Sequence, residues 1–115
     1  MNLSSTQDVI ALLKKLADEA IPVSVVFWTT NSSRSRVTGL LKGFSASIEL
    51  VVATTDDSAY LSVPFNNRPF TFDFGDLREI PTDALEAAAK WGNSHCLVKF
   101  ADNGDSLYLT FDLPT

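Results

Sequence analysis

The stretch Arg36–Thr54, RVTGLLKGFSASIELVVAT, is the longest run of strand-forming residues in the chain. In an extended backbone Val37, Gly39, Leu41 and Gly43 share one face, because side chains alternate with a period of two. Ile48, Leu50 and Val52 share a face of a second strand. Ser45-Ala46-Ser47 lies between them and marks a bend or turn. Two glycines on one face of a strand signal strong curvature or a close backbone neighbour, since nothing projects there. The stretch therefore reads as the bent central pair of a curved sheet, with Gly43 at its sharpest point.

Outward from this pair, residues 5–20 read as an amphipathic helix. Val9, Leu12, Leu13, Leu16 and Ala20 form its apolar stripe, opposite Lys14, Lys15, Asp18 and Glu19. Ser4 with Gln7, or Ser5 with Asp8, supplies an N-terminal cap. Pro22 ends the helix by disfavouring helical geometry at Ile21. Val23–Thr30 is the first strand, with Val23, Val25 and Phe27 on one face and Ser24, Val26 and Trp28 on the other. Ala59–Phe65 follows the central pair. Phe70, Phe72 and Phe74 then alternate with Thr71 and Asp73, the clearest period-two signal in the sequence, and place Phe72 in the core.

A short strand is read at Leu77–Ile80 and a second helix at Ala84–Trp91, stopped by Gly92. Cys96–Phe100 and Leu107–Leu113 form a C-terminal hairpin around Asn103-Gly104, a strong hairpin-turn signal. The predicted fold is a single α+β domain over residues 1–115. It comprises an N-terminal helix, a bent antiparallel sheet or small open barrel of about five strands, a second helix and the C-terminal hairpin.

At 115 residues, 45% hydrophobic and 20% charged, the composition suits one globular core. A net charge of −5 disfavours generic nucleic-acid binding unless the few cations gather on one face. The N-terminal residues lack the pattern of a secretory signal, and no apolar run reaches membrane-spanning length. The one cysteine, Cys96, allows no intrachain disulfide, and a cytoplasmic location with no membrane contact is expected.

No assembled catalytic site is readable. His95 and Cys96 are adjacent and point to opposite faces of a strand, so they form no dyad; Cys96 reads as a buried apolar residue and His95 as a surface one. The ligand set for zinc is missing. Asp102, Asn103 and Asp105 read as turn residues rather than a calcium loop. No enzyme activity, metal or cofactor is expected. Arg34, Arg36, Lys42 and Arg68 are the candidate ligand-binding residues, a small cationic patch suited to an anionic ligand or a partner's carboxylates. Val26 and Trp28 are the candidate interface, an apolar patch if the first helix leaves that face open.

The central pair also resembles the first sequence motif of the Sm-like family. Gly39, Leu41, Gly43, Phe44, Ile48, Leu50, Val51 and Val52 stand where that family has its glycines and apolar residues. The resemblance implies a strongly bent five-stranded barrel behind a helix, assembled in rings through edge-strand pairing. Ser45 stands in place of the family's aspartate and Glu49 in place of its RNA-lining asparagine, and the Arg-Gly motif is missing. The RNA chemistry is therefore not implied. Two readings follow: a non-catalytic binding or assembly module that self-associates, and a nucleic-acid binder of the Sm-like kind acting through Arg34, Arg36 and Lys42.

Overall fold

The structure is a computed structural model and describes residues 4–30, 34–76 and 93–113, with Asp76 described by its backbone alone. Among the described residues one helix, α1 (Thr6–Asp18), precedes seven strands: β1 (Val23–Trp28), β2 (Arg34–Phe44), β3 (Glu49–Ala53), β4 (Tyr60–Pro64), β5 (Phe70–Asp76), β6 (Ser94–Phe100) and β7 (Ser106–Phe111). All seven join one open sheet in the order β4-β3-β2-β1-β7-β6-β5, and every neighbouring pair is antiparallel.

This corrects the expected architecture. The described residues are mostly β, and their strands make a single seven-stranded open sheet rather than a barrel of about five with an appended hairpin. The hairpin of β6 and β7 lies inside the sheet, because β7 pairs along the whole of β1 from Val23↔Phe111 to Trp28↔Ser106. Burial explains the insertion. Val23, Ser24, Val25 and Val26 are all buried, as is every residue of β7. Two strands covered on both faces belong at the centre of a sheet, not at its rim. The expected strand at Leu77–Ile80 and helix at Ala84–Trp91 lie outside the described residues.

Helix α1 packs on the inner face. Its stripe of Val9, Leu12, Leu13 and Leu16 is buried in one cluster with Val23, Val25, Leu41, Leu50, Val52, Val98, Leu109 and Phe111. Ser5 closes a capping box with Asp8, so one of the two expected caps is used. The helix ends earlier than its apolar stripe suggests. Ala20 takes a left-handed conformation (φ 51°) and donates to the Ala17 carbonyl, while Ile21 donates to Leu16. That pair of bonds is a Schellman ending with alanine where glycine is usual.

At the far end of the core Phe65 holds the curled sheet together. Its ring meets Phe44 (5.0 Å), Phe100 (5.2 Å) and Phe70 (6.0 Å), all edge to face, the arrangement aromatic quadrupoles favour. Phe70, Phe72 and Phe74 pack against the core only in part, because β5 is an edge strand. Phe72 is thus half-buried, not fully buried as its spacing suggests.

The central pair is irregular beside Gly43, where the sequence places its sharpest point, but the close backbone approach lies elsewhere. The register slips between Leu41 and Gly43, which marks a bulge. A Cβ on Gly43 would nevertheless meet nothing within 4 Å, whereas one on Gly39 would lie 1.9 Å from the Ala53 carbonyl oxygen. Gly39 is the close approach.

Candidate functional site

The expected cationic patch is not gathered in one place. Arg34 and Arg36 stand exposed on the outer face of β2, opposite Trp28 and Val26 of β1 respectively. Lys42 lies further along the same strand and pairs with Asp57 at 3.4 Å. Arg68 belongs to another structure altogether. Its Nε and Nη2 donate to both carboxylate oxygens of Asp102 (2.8 and 3.0 Å), Nη2 also donates to Asn103 Oδ1 (2.9 Å), and Nη1 donates to the Pro64 carbonyl (2.9 Å). The guanidinium lies 4.0 Å above the centre of the Phe100 ring. Arg68 is a clasp between two turns, with its donors committed.

The clasp continues inward. Asn103 Nδ2 donates to Asp105 Oδ2 and the Asp105 amide donates back to Asn103 Oδ1, both at 3.0 Å. Asp105 Oδ1 accepts from the Thr30 amide at 3.2 Å. Gly104 completes the turn with φ +79°. Hydrogen bonding to Arg68 is the main reason the Asp102 carboxyl titrates below its ordinary value.

Val26 and Trp28 share the outer face, away from α1, as their parity requires. Val26 is fully buried within the single chain, and Trp28 is half-buried. Cross-strand register extends the Trp28 row to Arg34 on one side and to Ser106 and Lys99 on the other. The next rows carry Tyr108 and His95. His95 is buried, contrary to the surface position expected from its polarity; its Nδ1 and the Tyr108 hydroxyl have no hydrogen-bond partner among the described residues. His95 Nε2 lies 3.8 Å from Asp73, and the two rings lie 6.0 Å apart. Burial first, and the charge of Asp73 second, push the Tyr108 hydroxyl up to about 12. Cys96 points the other way into the core, its thiol raised to about 12 by the same two causes. Ser24, in the row of His95, bonds instead with Thr38 (3.3 Å). Among the described residues, neither Ser24 nor Cys96 is held by His95.

A shallow groove of about 350 Å³ runs between α1 and the turn after β4, lined by Thr6, Gln7, Ile10, Ala46, Asn67 and Phe70 among others. No group of His, Cys, Asp and Glu among the described residues could hold a metal ion, and no described helix is long and apolar enough to cross a membrane.

Sequence reasoning passed over the edge of β4. Tyr60 is 74% exposed and Ile48, just before β3, is 59% exposed; these are the large exposed apolar side chains among the described residues. The Thr54 amide donates to the Ala59 carbonyl at 3.0 Å, and Ala53 stands opposite Tyr60. That bond makes Ala53–Tyr60 a non-hydrogen-bonded pair, so the Tyr60 amide and carbonyl point away from β3. By alternation the same holds for Ser62, and for the carbonyl of Pro64. The Arg68 bond to that carbonyl is consistent with this direction. The signal lay in Pro64, which marks an edge strand because proline cannot donate to a ladder.

No protein-family model, curated protein or solved structure matches this chain.

Proposed function

We propose that this chain is a non-catalytic binding and assembly module that associates with copies of itself. The observation that supports this reading is the β4 edge, unpaired among the described residues. It offers backbone donors and acceptors beside an exposed tyrosine, and such an edge is a template for another strand. The net charge of −5 opposes indiscriminate aggregation, which favours a closed dimer or small ring over open growth. Light scattering across a hundredfold range of protein concentration tests it. The mass should rise with concentration towards a multiple of 12.5 kDa and then level off. A monomer at every concentration would overturn the reading.

A second reading, single-stranded nucleic-acid binding in the manner of the Sm-like alternative, draws on the row Arg34–Trp28–Ser106–Lys99. It sets three cationic groups, counting Arg36 beside it, around one partly exposed aromatic ring. Cations that track a phosphate backbone beside a stacking surface are the usual components of such sites. Lys42, held by Asp57, and Arg68, held by Asp102, contribute nothing to it. Fluorescence titration with a short single-stranded RNA at two salt concentrations distinguishes the readings. Binding that weakens steeply with salt supports this one, and no binding at low salt removes it.

A further inference from the structure

We infer that the second copy docks on β4 itself, antiparallel to it, across a two-fold axis at Leu61; this rests on the self-associating reading above. The free edge presents a short set of groups: the amide and carbonyl of Tyr60 and of Ser62. Beyond them the edge is closed. Pro64 has no amide, and its carbonyl already accepts from Arg68. Two copies arranged about Leu61 place Tyr60 of each against Ser62 of the other. All four free groups of each copy are then matched in four hydrogen bonds, and none is left over. A register shifted by two residues would waste half of them against Pro64 or the Ser58 turn.

Side chains fit the same axis. Leu61 is half-buried at the rim of the core, and on the two-fold it faces its counterpart at a non-hydrogen-bonded position, where the Cα atoms come within about 4.5 Å. Tyr60, on the outer face, covers Ser62 of the other copy, whose hydroxyl donates to Glu49. Charge favours the same orientation. Antiparallel docking sets the acidic Asp56–Asp57 turn of each copy beside Asn66 and Asn67 of the other, away from its own counterpart. Parallel docking would align the two acidic turns and is opposed.

The other edge is less suited to a copy of itself. The Ala101 amide donates to the Pro69 carbonyl next to the Phe70↔Phe100 pair, so the outward backbone groups of β5 are those of Phe70, Phe72, Phe74 and Asp76. The register that uses all of them sets Asp73 directly against Asp73 of the second copy.

Cysteine cross-linking of the whole chain tests the inference. Leu61→Cys should form a disulfide-linked dimer under oxidised glutathione, which takes up the two electrons and two protons released by the thiols. Ser62→Cys, opposite Tyr60, should cross-link at least tenfold more slowly. The parent should not cross-link, since Cys96 is fully buried. In parallel, Ser62→Pro should weaken association at least tenfold while leaving the circular dichroism spectrum unchanged, because the amide it removes points out of the sheet. Should that variant unfold, the relative cross-linking rates decide alone. A wild type that associates while Leu61→Cys cross-links no faster than Ser62→Cys overturns the docking geometry and leaves self-association standing. A wild type that never associates overturns both.

Discussion

A methyl group on Gly39 would press against the Ala53 carbonyl at 1.9 Å and the Thr54 Cα at 2.9 Å, and both obstacles are backbone. Relief would require moving β2 and β3 apart, so Gly39→Ala should cost roughly 3 kcal/mol or more, the upper range of overpacking. Gly43→Ala should cost under about 1 kcal/mol, since open space surrounds it. Urea denaturation of the two variants checks this ordering, and equal losses would refute the close approach. At the end of α1, Ala20 holds a left-handed conformation that costs an L-residue about 1–2 kcal/mol. Glycine there loses part of that gain to unfolded-state entropy, so Ala20→Gly should stabilise by about 0.5–1 kcal/mol and raise the melting temperature by a few degrees. From the sequence both glycines of β2 were legible as special. Which of them meets a neighbour depends on where β3 ends, and no local pattern carries that.

The strands themselves were legible because each has its own alternation and its own turn residues. Their degree of burial was not, since it depends on position in the sheet. Phe72 and Phe100 make the contrast. Phe72 lies on edge strand β5 and is half-buried, so Phe72→Ala should cost roughly 2 kcal/mol, about half the loss for a fully buried phenylalanine. Phe100 is fully buried, beneath Arg68 and against Phe65, and Phe100→Ala should cost roughly 3–5 kcal/mol. Chemical denaturation separates the two, and a larger loss at Phe72 would contradict the strand order.

The turns carry the pH dependence. Hydrogen bonds hold the carboxyls of Asp8, Asp56 and Asp102 below 3.8, Asp56 at about 2. A carboxyl depressed on folding contributes stability that is present above its unfolded value and is lost as pH falls through the folded one. Thermal melts should therefore be insensitive to these groups above about pH 4 and fall as the pH goes from there towards 2. Asp56→Asn should flatten the lower part of that decline; an unchanged profile would show that the Thr54–Ser58 turn adds nothing. Asp56 and Asp102 were legible as turn residues. Their partners Ser58, Thr54 and Arg68 were not all so, because Arg68 reaches Asp102 across 34 positions of the chain.

At the scale of the whole molecule, β7 shows what a sequence does and does not disclose. Leu107, Tyr108, Leu109, Thr110 and Phe111 offer no charged face, and β1 has the same character. Two such strands must lie centrally and can satisfy each other as neighbours, which is the pairing observed. Reading the hairpin as an appendage followed chain order instead of burial. Strand order rests on contacts distant in sequence, and it alone determines which edges remain free. The β4 edge, the carrier of the proposed assembly, was thus beyond local reading, although Pro64 marked it. Amide hydrogen exchange by NMR at low and high protein concentration tests the proposed assembly most directly. Leu61 and Val63, whose amides point towards β3, should be protected at both concentrations. Tyr60 and Ser62 should exchange freely in dilute solution and gain protection as the concentration rises. If Tyr60 and Ser62 exchange at the same fast rate at both concentrations, the edge stays unpaired and the account of this protein as a self-pairing module is wrong.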